Sequence, residues 1–133
     1  MTTLQLPDGA FWDWEVLSWS GGTLILAAGT DLTYHHQLEV IFTEVAYVAL
    51  PSLFHHPTFR PPTAEELRAV ADQVGAPAPV VVAFDHDGTD GDGRPLSGLV
   101  AADAVEVVPG AVYRYRRETL LPGERHATWL DER

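Results

Sequence analysis

The first third of the chain is dominated by runs in which apolar and polar positions alternate. Between residues 11 and 19, aromatic and aliphatic positions alternate with acidic ones, which is the period of a β-strand. A Ser-Gly-Gly turn signal follows, and a second apolar run occupies residues 23–28. The pattern therefore predicts a β-hairpin over this part of the chain.

Residues 37–50 carry the strongest strand pattern in the sequence. Apolar residues lie at even positions as far as Phe42 and at odd positions from Val45 onward, so the alternation changes phase at Thr43 and Glu44. A phase change of this kind predicts either a β-bulge or two short strands that meet at a tight bend.

One segment has the period of a helix instead. From Leu67, apolar residues recur at i, i+3, i+4 and i+7. Thr63 and Glu66 have the spacing of a capping box, and Gly75 is a helix stop signal. The sequence predicts a helix near 64–74 that packs on one face of a sheet.

The remaining segments are assigned from shorter patterns. Residues 80–84 form a continuous apolar run, typical of a strand buried on both faces, and residues 85–95 are a loop rich in Asp and Gly. The segment 99–108 fits helix by its alanines and strand by its valines, and we favour strand. A Pro-Gly turn then leads to a last strand at 111–121.

These elements together predict a single α+β domain over residues 1–133. We expect a mostly antiparallel sheet of about five to seven strands, with the one main helix on one of its faces. A chain of this length buries enough surface to fold without a cofactor.

Composition restricts the chemistry further. The chain has no Cys and no Lys, which excludes a thiol nucleophile, a disulfide framework, a Schiff base and a P-loop lysine. Its net charge of −11 repels phosphates and anionic lipids, so we expect no nucleic-acid or membrane partner. The start of the chain lacks a basic signal segment, and we expect a cytoplasmic protein.

The segment at 80–89 resembles the first motif of the haloacid dehalogenase-type phosphatases. It reads VVVAFDHDGT, an apolar strand followed by Asp-x-Asp-Gly-Thr. The resemblance implies that Asp85 is a phosphoryl-accepting nucleophile and Asp87 a general acid, with Mg²⁺ between them. It covers only these ten residues, and the rest of the chain indicates antiparallel β-structure, not the fold of that family.

The same Asp-rich loop is a candidate site for Ca²⁺ or Mg²⁺. Its oxygen ligands would come from Asp85, Asp87, Asp90 and Asp92, with His86 beside them. The spacing departs from that of the twelve-residue EF-hand loop. The alternative is a solvated loop whose Asp and Gly residues serve turn geometry.

Four of the six histidines occur as two adjacent pairs, at 35–36 and 55–56. Neighbours in an extended chain point to opposite faces, so each pair offers one imidazole to a given site. We take His35 and His55 as candidate binding residues; one histidine of each pair together with His86 would make a three-His metal centre. The alternative is that the two pairs lie apart at strand ends.

Arg114 and Arg116 lie in the only locally basic part of the chain. They are candidates for binding an anion, and the alternative is that they neutralise nearby carboxylates.

From these observations we expect a non-enzymatic acidic domain that engages a basic protein by charge complementarity. The alternative function is a divalent-metal-binding protein or a small metal-dependent hydrolase that uses the loop at 85–92. A homodimer formed through an exposed strand edge is compatible with either function.

Overall fold

A computed structural model of the chain describes residues 4–30, 32 and 35–113. In these residues the chain forms strands and one helix, in the order β1 (Asp13–Ser20), β2 (Thr23–Gly29), β3 (His35–Ala49), β4 (Leu53–His55), β5 (Thr58–Arg60), α1 (Ala64–Val74), β6 (Val80–Thr89) and β7 (Pro95–Tyr113).

All seven strands belong to one antiparallel sheet, in the order β4-β1-β2-β3-β7-β6-β5. The two edge strands are consecutive in the chain and are separated only by His56 and Pro57. The sheet is therefore curled, so that its two edges come together. The stacking of Phe54 in β4 on Phe84 in β6, with ring centroids 4.6 Å apart, lies at this seam.

The inner face of the curled sheet holds the main core. Trp14 is completely buried there, and its ring stacks on Phe54 and tilts against Phe59. Aliphatic side chains from the long strands complete this cluster: Leu24, Leu26, Leu38, Val40, Val82 and Val100.

A second, smaller apolar cluster lies on the other face of β6 and β7. Val70 of α1 is 1% exposed and belongs to this cluster together with Val81, Ala83 and Ala101. Since Val82 and Phe84 belong to the main core, β6 is buried on both faces from Val81 to Phe84. This confirms the prediction from its continuous apolar run.

The helix begins and ends where the sequence predicts. Thr63 accepts a hydrogen bond from the Glu66 backbone N–H, and the Glu66 carboxylate accepts one from the Thr63 N–H, so the capping box is complete. Gly75 ends the helix in the left-handed conformation with φ 86°. Within the described ranges, no helix is long and apolar enough to span a membrane.

Three other local predictions are confirmed. The hairpin forms as β1 and β2, joined at Gly21 and Gly22, both of which have positive φ. The phase change in β3 is a bulge: the register with β7 shifts between Val45 and Tyr47, and Glu44 has φ 52°. Residues 99–108 are strand, as favoured.

Two predictions about boundaries are wrong, and two short strands were missed. The loop predicted at 85–95 is strand as far as Thr89, because β7 continues to pair with β6 beyond Asp85, where the pairing with β5 ends. The loop is formed by residues 90–94 alone. Residues 109–110 are not a turn but part of β7, which pairs with β3 from Leu99 to Tyr113. The short strands β4 and β5 were not predicted. Residues 114–121 of the predicted last strand lie outside the described residues.

A substitution at Gly98 tests the aromatic packing at the seam. A Cβ at this position would lie 2.2 Å from Cζ of Phe84, its cross-strand partner. We expect Gly98→Ala to lower the free energy of unfolding by about 1–3 kcal/mol, because the ring has to move out of a packed core. Gly91→Ala is the control, since nothing lies within 4 Å of its Cβ position. Equal stability of the two variants in urea unfolding would show that the ring does not depend on Gly98.

An ion-pair network joins the helix start to the sheet. Arg60 donates from Nη1 and Nη2 to the two Glu66 carboxylate oxygens at 2.6 and 3.0 Å, and from Nε to Asp85 at 3.1 Å. The hydrogen bonds from Arg60 lower the pKa of Glu66. The pKa of Arg60 is raised mainly by its hydrogen bonds to Glu66 and, to a smaller extent, by its hydrogen bond to Asp85.

The pKa of Glu66 is lower in the folded state than in the unfolded state. The Glu66 carboxylate therefore stabilises the fold fully at a pH above the ordinary pKa of about 4.3. This stabilisation is lost as the pH falls through the pKa of the folded state. We expect Glu66→Gln to be about 1–2 kcal/mol less stable than the native chain at pH 7. The difference should shrink below pH 4. Glu65→Gln, on the exposed side of the same turn, is the control in urea unfolding; an equal loss there would contradict a specific role for the network.

Candidate functional site

The aspartates of the predicted metal loop have separate partners. Asp85 lies in β6 and accepts a hydrogen bond from Arg60. Asp90 closes the loop at 90–94: its carboxylate accepts hydrogen bonds from the Asp92 and Arg94 N–H groups at 2.8 and 3.0 Å. This is the turn chemistry that the sequence left as the alternative. Of the described residues, no three His, Asp or Glu side chains are grouped so that they could hold a metal ion.

Asp87 instead contacts a histidine at the seam of the sheet. Its Oδ2 lies 2.6 Å from Nδ1 of His56, and both side chains are exposed. The His56 ring also stacks on Trp12, with centroids 5.4 Å apart and planes at 17°. The backbone of His56 has φ 50°, and its N–H donates to the Trp12 carbonyl oxygen. His56 thus links the segment before β1 to the end of β6.

His55 contacts the same indole. Its ring centroid lies 5.9 Å from that of Trp12, and its Nε2 lies 3.2 Å from Oδ1 of Asp13. The expectation that adjacent histidines serve opposite faces is therefore wrong for this pair. The reason is that His56 leaves the extended conformation, which breaks the alternation of side chains.

The other predicted histidines lie elsewhere. The His35 ring packs against Tyr113, and the His86 ring lies against Phe54 and Phe84 at the seam. His86 also contacts the backbone carbonyl of Asp87 through Nδ1 at 3.2 Å. Among the described residues, the imidazoles of His35, His55 and His86 do not meet at a common partner. Arg114 and Arg116 lie outside the described residues.

A buried His–Glu pair was not predicted. His36 and Glu39 are completely buried, and Nε2 of His36 lies 2.7 Å from Oε2 of Glu39. Nδ1 of His36 has no hydrogen-bond partner among the residues that the structure describes. In a regular strand, residues three apart face opposite sides, and the shift in register with β7 between His36 and Leu38 marks the irregularity here. No pattern in the sequence reveals this irregularity.

A second feature missed by the sequence is an acidic corner at the bulge of β3. The pairing of Thr43 with Ala104 and of Val45 with Ala102 places Glu44 opposite Asp103, and both carboxylates are exposed. The turn that follows Trp19 is fixed to this corner, because the Val45 N–H donates to the Gly22 carbonyl at 2.8 Å.

Trp19 is 59% exposed, the highest value among the large apolar side chains of the described chain. Neither Glu44 nor Asp103 has a cationic partner among the described residues. We call Glu44 and Asp103, together with Trp19 before the adjoining turn, the acidic corner.

Comparison of the chain with models of protein families, with curated proteins and with solved structures finds no match. The functional argument therefore depends on the chemistry of the described residues.

Asp85, Asp87 and Asp90 each bind a different partner, and from this we predict how the protein responds to metal ions. We expect 5 mM Ca²⁺ or Mg²⁺ to change the thermal midpoint of the EDTA-treated protein by less than about 1 °C, because a ligand stabilises a fold only when it binds the folded state. Differential scanning fluorimetry measures this directly. A rise of several degrees that is lost in Asp85→Asn and Asp87→Asn, but kept in Asp72→Asn, would instead support the metal site.

Proposed function

We propose that the protein is a non-enzymatic binding domain whose acidic surface engages a basic protein. The observation that carries this proposal is the excess of exposed carboxylates. The described residues include fourteen acidic residues and only three arginines, so they account for the whole net charge of −11. Nine of the fourteen acidic residues are exposed, and Glu39 is completely buried.

The arginines do little to offset this charge. Arg60 is committed to Glu66 and Asp85 within the fold, which leaves Arg68 and Arg94 as the exposed cations of the described chain. A surface of this kind raises the rate of encounter with a basic partner and repels acidic proteins.

Within this surface we propose the acidic corner as the contact point. Glu44 and Asp103 place two like charges at opposite positions of neighbouring strands, an arrangement that favours mutual repulsion. A lysine or arginine side chain between them would remove that repulsion. The indole of Trp19 adds the aromatic face that such cations favour and that binding hot spots commonly contain.

The test uses a fluorescent octa-arginine peptide as the probe, with binding followed by anisotropy. We expect the double variant Glu44→Gln/Asp103→Asn to bind it about threefold to tenfold more weakly, since each exposed charge pair contributes up to about 1 kcal/mol. The control is Glu65→Gln/Asp72→Asn, which removes two exposed charges from the helix and should change binding much less.

Salt supplies the second arm of the experiment. Binding should weaken strongly between about 20 and 300 mM NaCl, because exposed charges are screened over the Debye length. Equal loss in both double variants would show that the peptide senses only net charge and would overturn the acidic corner as the contact point. Salt-independent binding, or none at low salt, would overturn the proposed function.

A further inference from the structure

A cavity of about 320 Å³ lies away from the acidic corner, where the segment before β1 passes the ends of three strands. Its wall includes Asp8 and Phe11 from that segment, Thr30 from the end of β2, Gln37 from β3 and Gly110 from β7. The volume is at the lower end of the range of small-molecule sites, about 300–1,000 Å³.

Two glycines give this cavity its shape. Gly9 has φ 152°, and a Cβ there would lie 2.7 Å from Cζ of Phe11, so the phenyl ring rests on the bare backbone. A Cβ at Gly29 would lie 3.3 Å from Oε1 of Gln37. The absence of side chains at both positions therefore lets the ring and the carboxamide occupy their places in the wall.

Three polar side chains line the cavity without engaging one another. In the described structure, the side chains of Asp8, Thr30 and Gln37 make no hydrogen bond or ion pair. They supply one full negative charge and two neutral oxygen acceptors, beside an aromatic ring. Ligand sites are commonly apolar cavities with a few convergent polar groups of this kind.

We propose that this cavity binds a guanidinium group. A guanidinium is planar, carries five N–H donors in a fixed fork and stacks on aromatic rings. Asp8 would accept two of its hydrogen bonds, Thr30 and Gln37 would accept others, and the Phe11 ring would provide the aromatic wall. The group could belong to a free small molecule or to an arginine side chain of a protein.

The probes are butylguanidinium and its neutral near-isostere butylurea, titrated into the protein by calorimetry. We expect butylguanidinium to bind with a millimolar Kd and butylurea to bind at least about tenfold more weakly, because only the cation makes charge-assisted hydrogen bonds to Asp8. Amide resonances of Thr30, Gln37 and Gly110 should shift with the cation in NMR spectra. Equal binding of the two probes would overturn the proposal.

The variant that tests the site is Asp8→Asn, which keeps the size of the side chain and removes its charge. We expect it to weaken butylguanidinium binding at least about fivefold, whereas Asp72→Asn, on the exposed face of the helix, leaves binding unchanged. Gln37→Leu, whose fold is checked by circular dichroism, should weaken it less. Equal loss in Asp8→Asn and Asp72→Asn would show attraction by net charge alone and would overturn the site.

Octa-arginine distinguishes the two sources and separates this inference from the proposed function. Weaker octa-arginine binding in Asp8→Asn would identify an arginine side chain as the ligand. Butylguanidinium binding that depends on Asp8, with no octa-arginine binding, would support a free guanidinium compound and overturn only the proposed function. Octa-arginine binding that depends on the acidic corner, with no butylguanidinium binding, would overturn only the cavity.

Discussion

The aromatic contact between Phe54 and Phe84 is the interaction on which the rest of the structure depends. The edge strands β4 and β5 have three residues each, so few backbone hydrogen bonds are made beside the seam. Ring stacking therefore brings the two edges together, and it requires Gly98, because any larger residue would occupy the space of the Phe84 ring. Stacked aromatic pairs of this kind contribute more than their buried area.

The curling of the sheet also determines where the charged side chains lie. Apolar side chains fill the inner face, and the helix covers part of the outer face, so the carboxylates lie around the remaining surface. Self-repulsion among them lowers the stability of the compact state. One cation, Arg60, is placed where it stabilises most, since it binds the helix start and β6 together. Among the described residues, only Arg68 and Arg94 are then left to balance the exposed acids, and this imbalance is the basis of the basic partner that we propose.

Local signals in the sequence were sufficient for the elements that local chemistry determines. The helix at 64–74 has its own caps, and the hairpin has its own glycine turn. The errors concern elements that distant pairing determines. β6 continues to Thr89 because β7 pairs with it there. Pro109 fits in β7 because β3 is the one described strand that pairs with this part of β7. The contact of both His55 and His56 with Trp12 also could not be predicted from the sequence pattern, because it depends on the left-handed backbone of His56.

The acidic corner is hard to explain by stability alone. Glu44 adopts φ 52°, a conformation that glycine or asparagine accepts more easily and that costs an ordinary residue about 1 kcal/mol or more. Its cross-strand neighbour Asp103 carries the same charge, where an opposite charge would have stabilised the sheet. Both carboxylates are exposed, and so is the indole of Trp19, which precedes the turn that is bonded to Val45. These features are the ground for our proposal of a cationic partner at this corner, because such a partner would offset the repulsion and cover the ring.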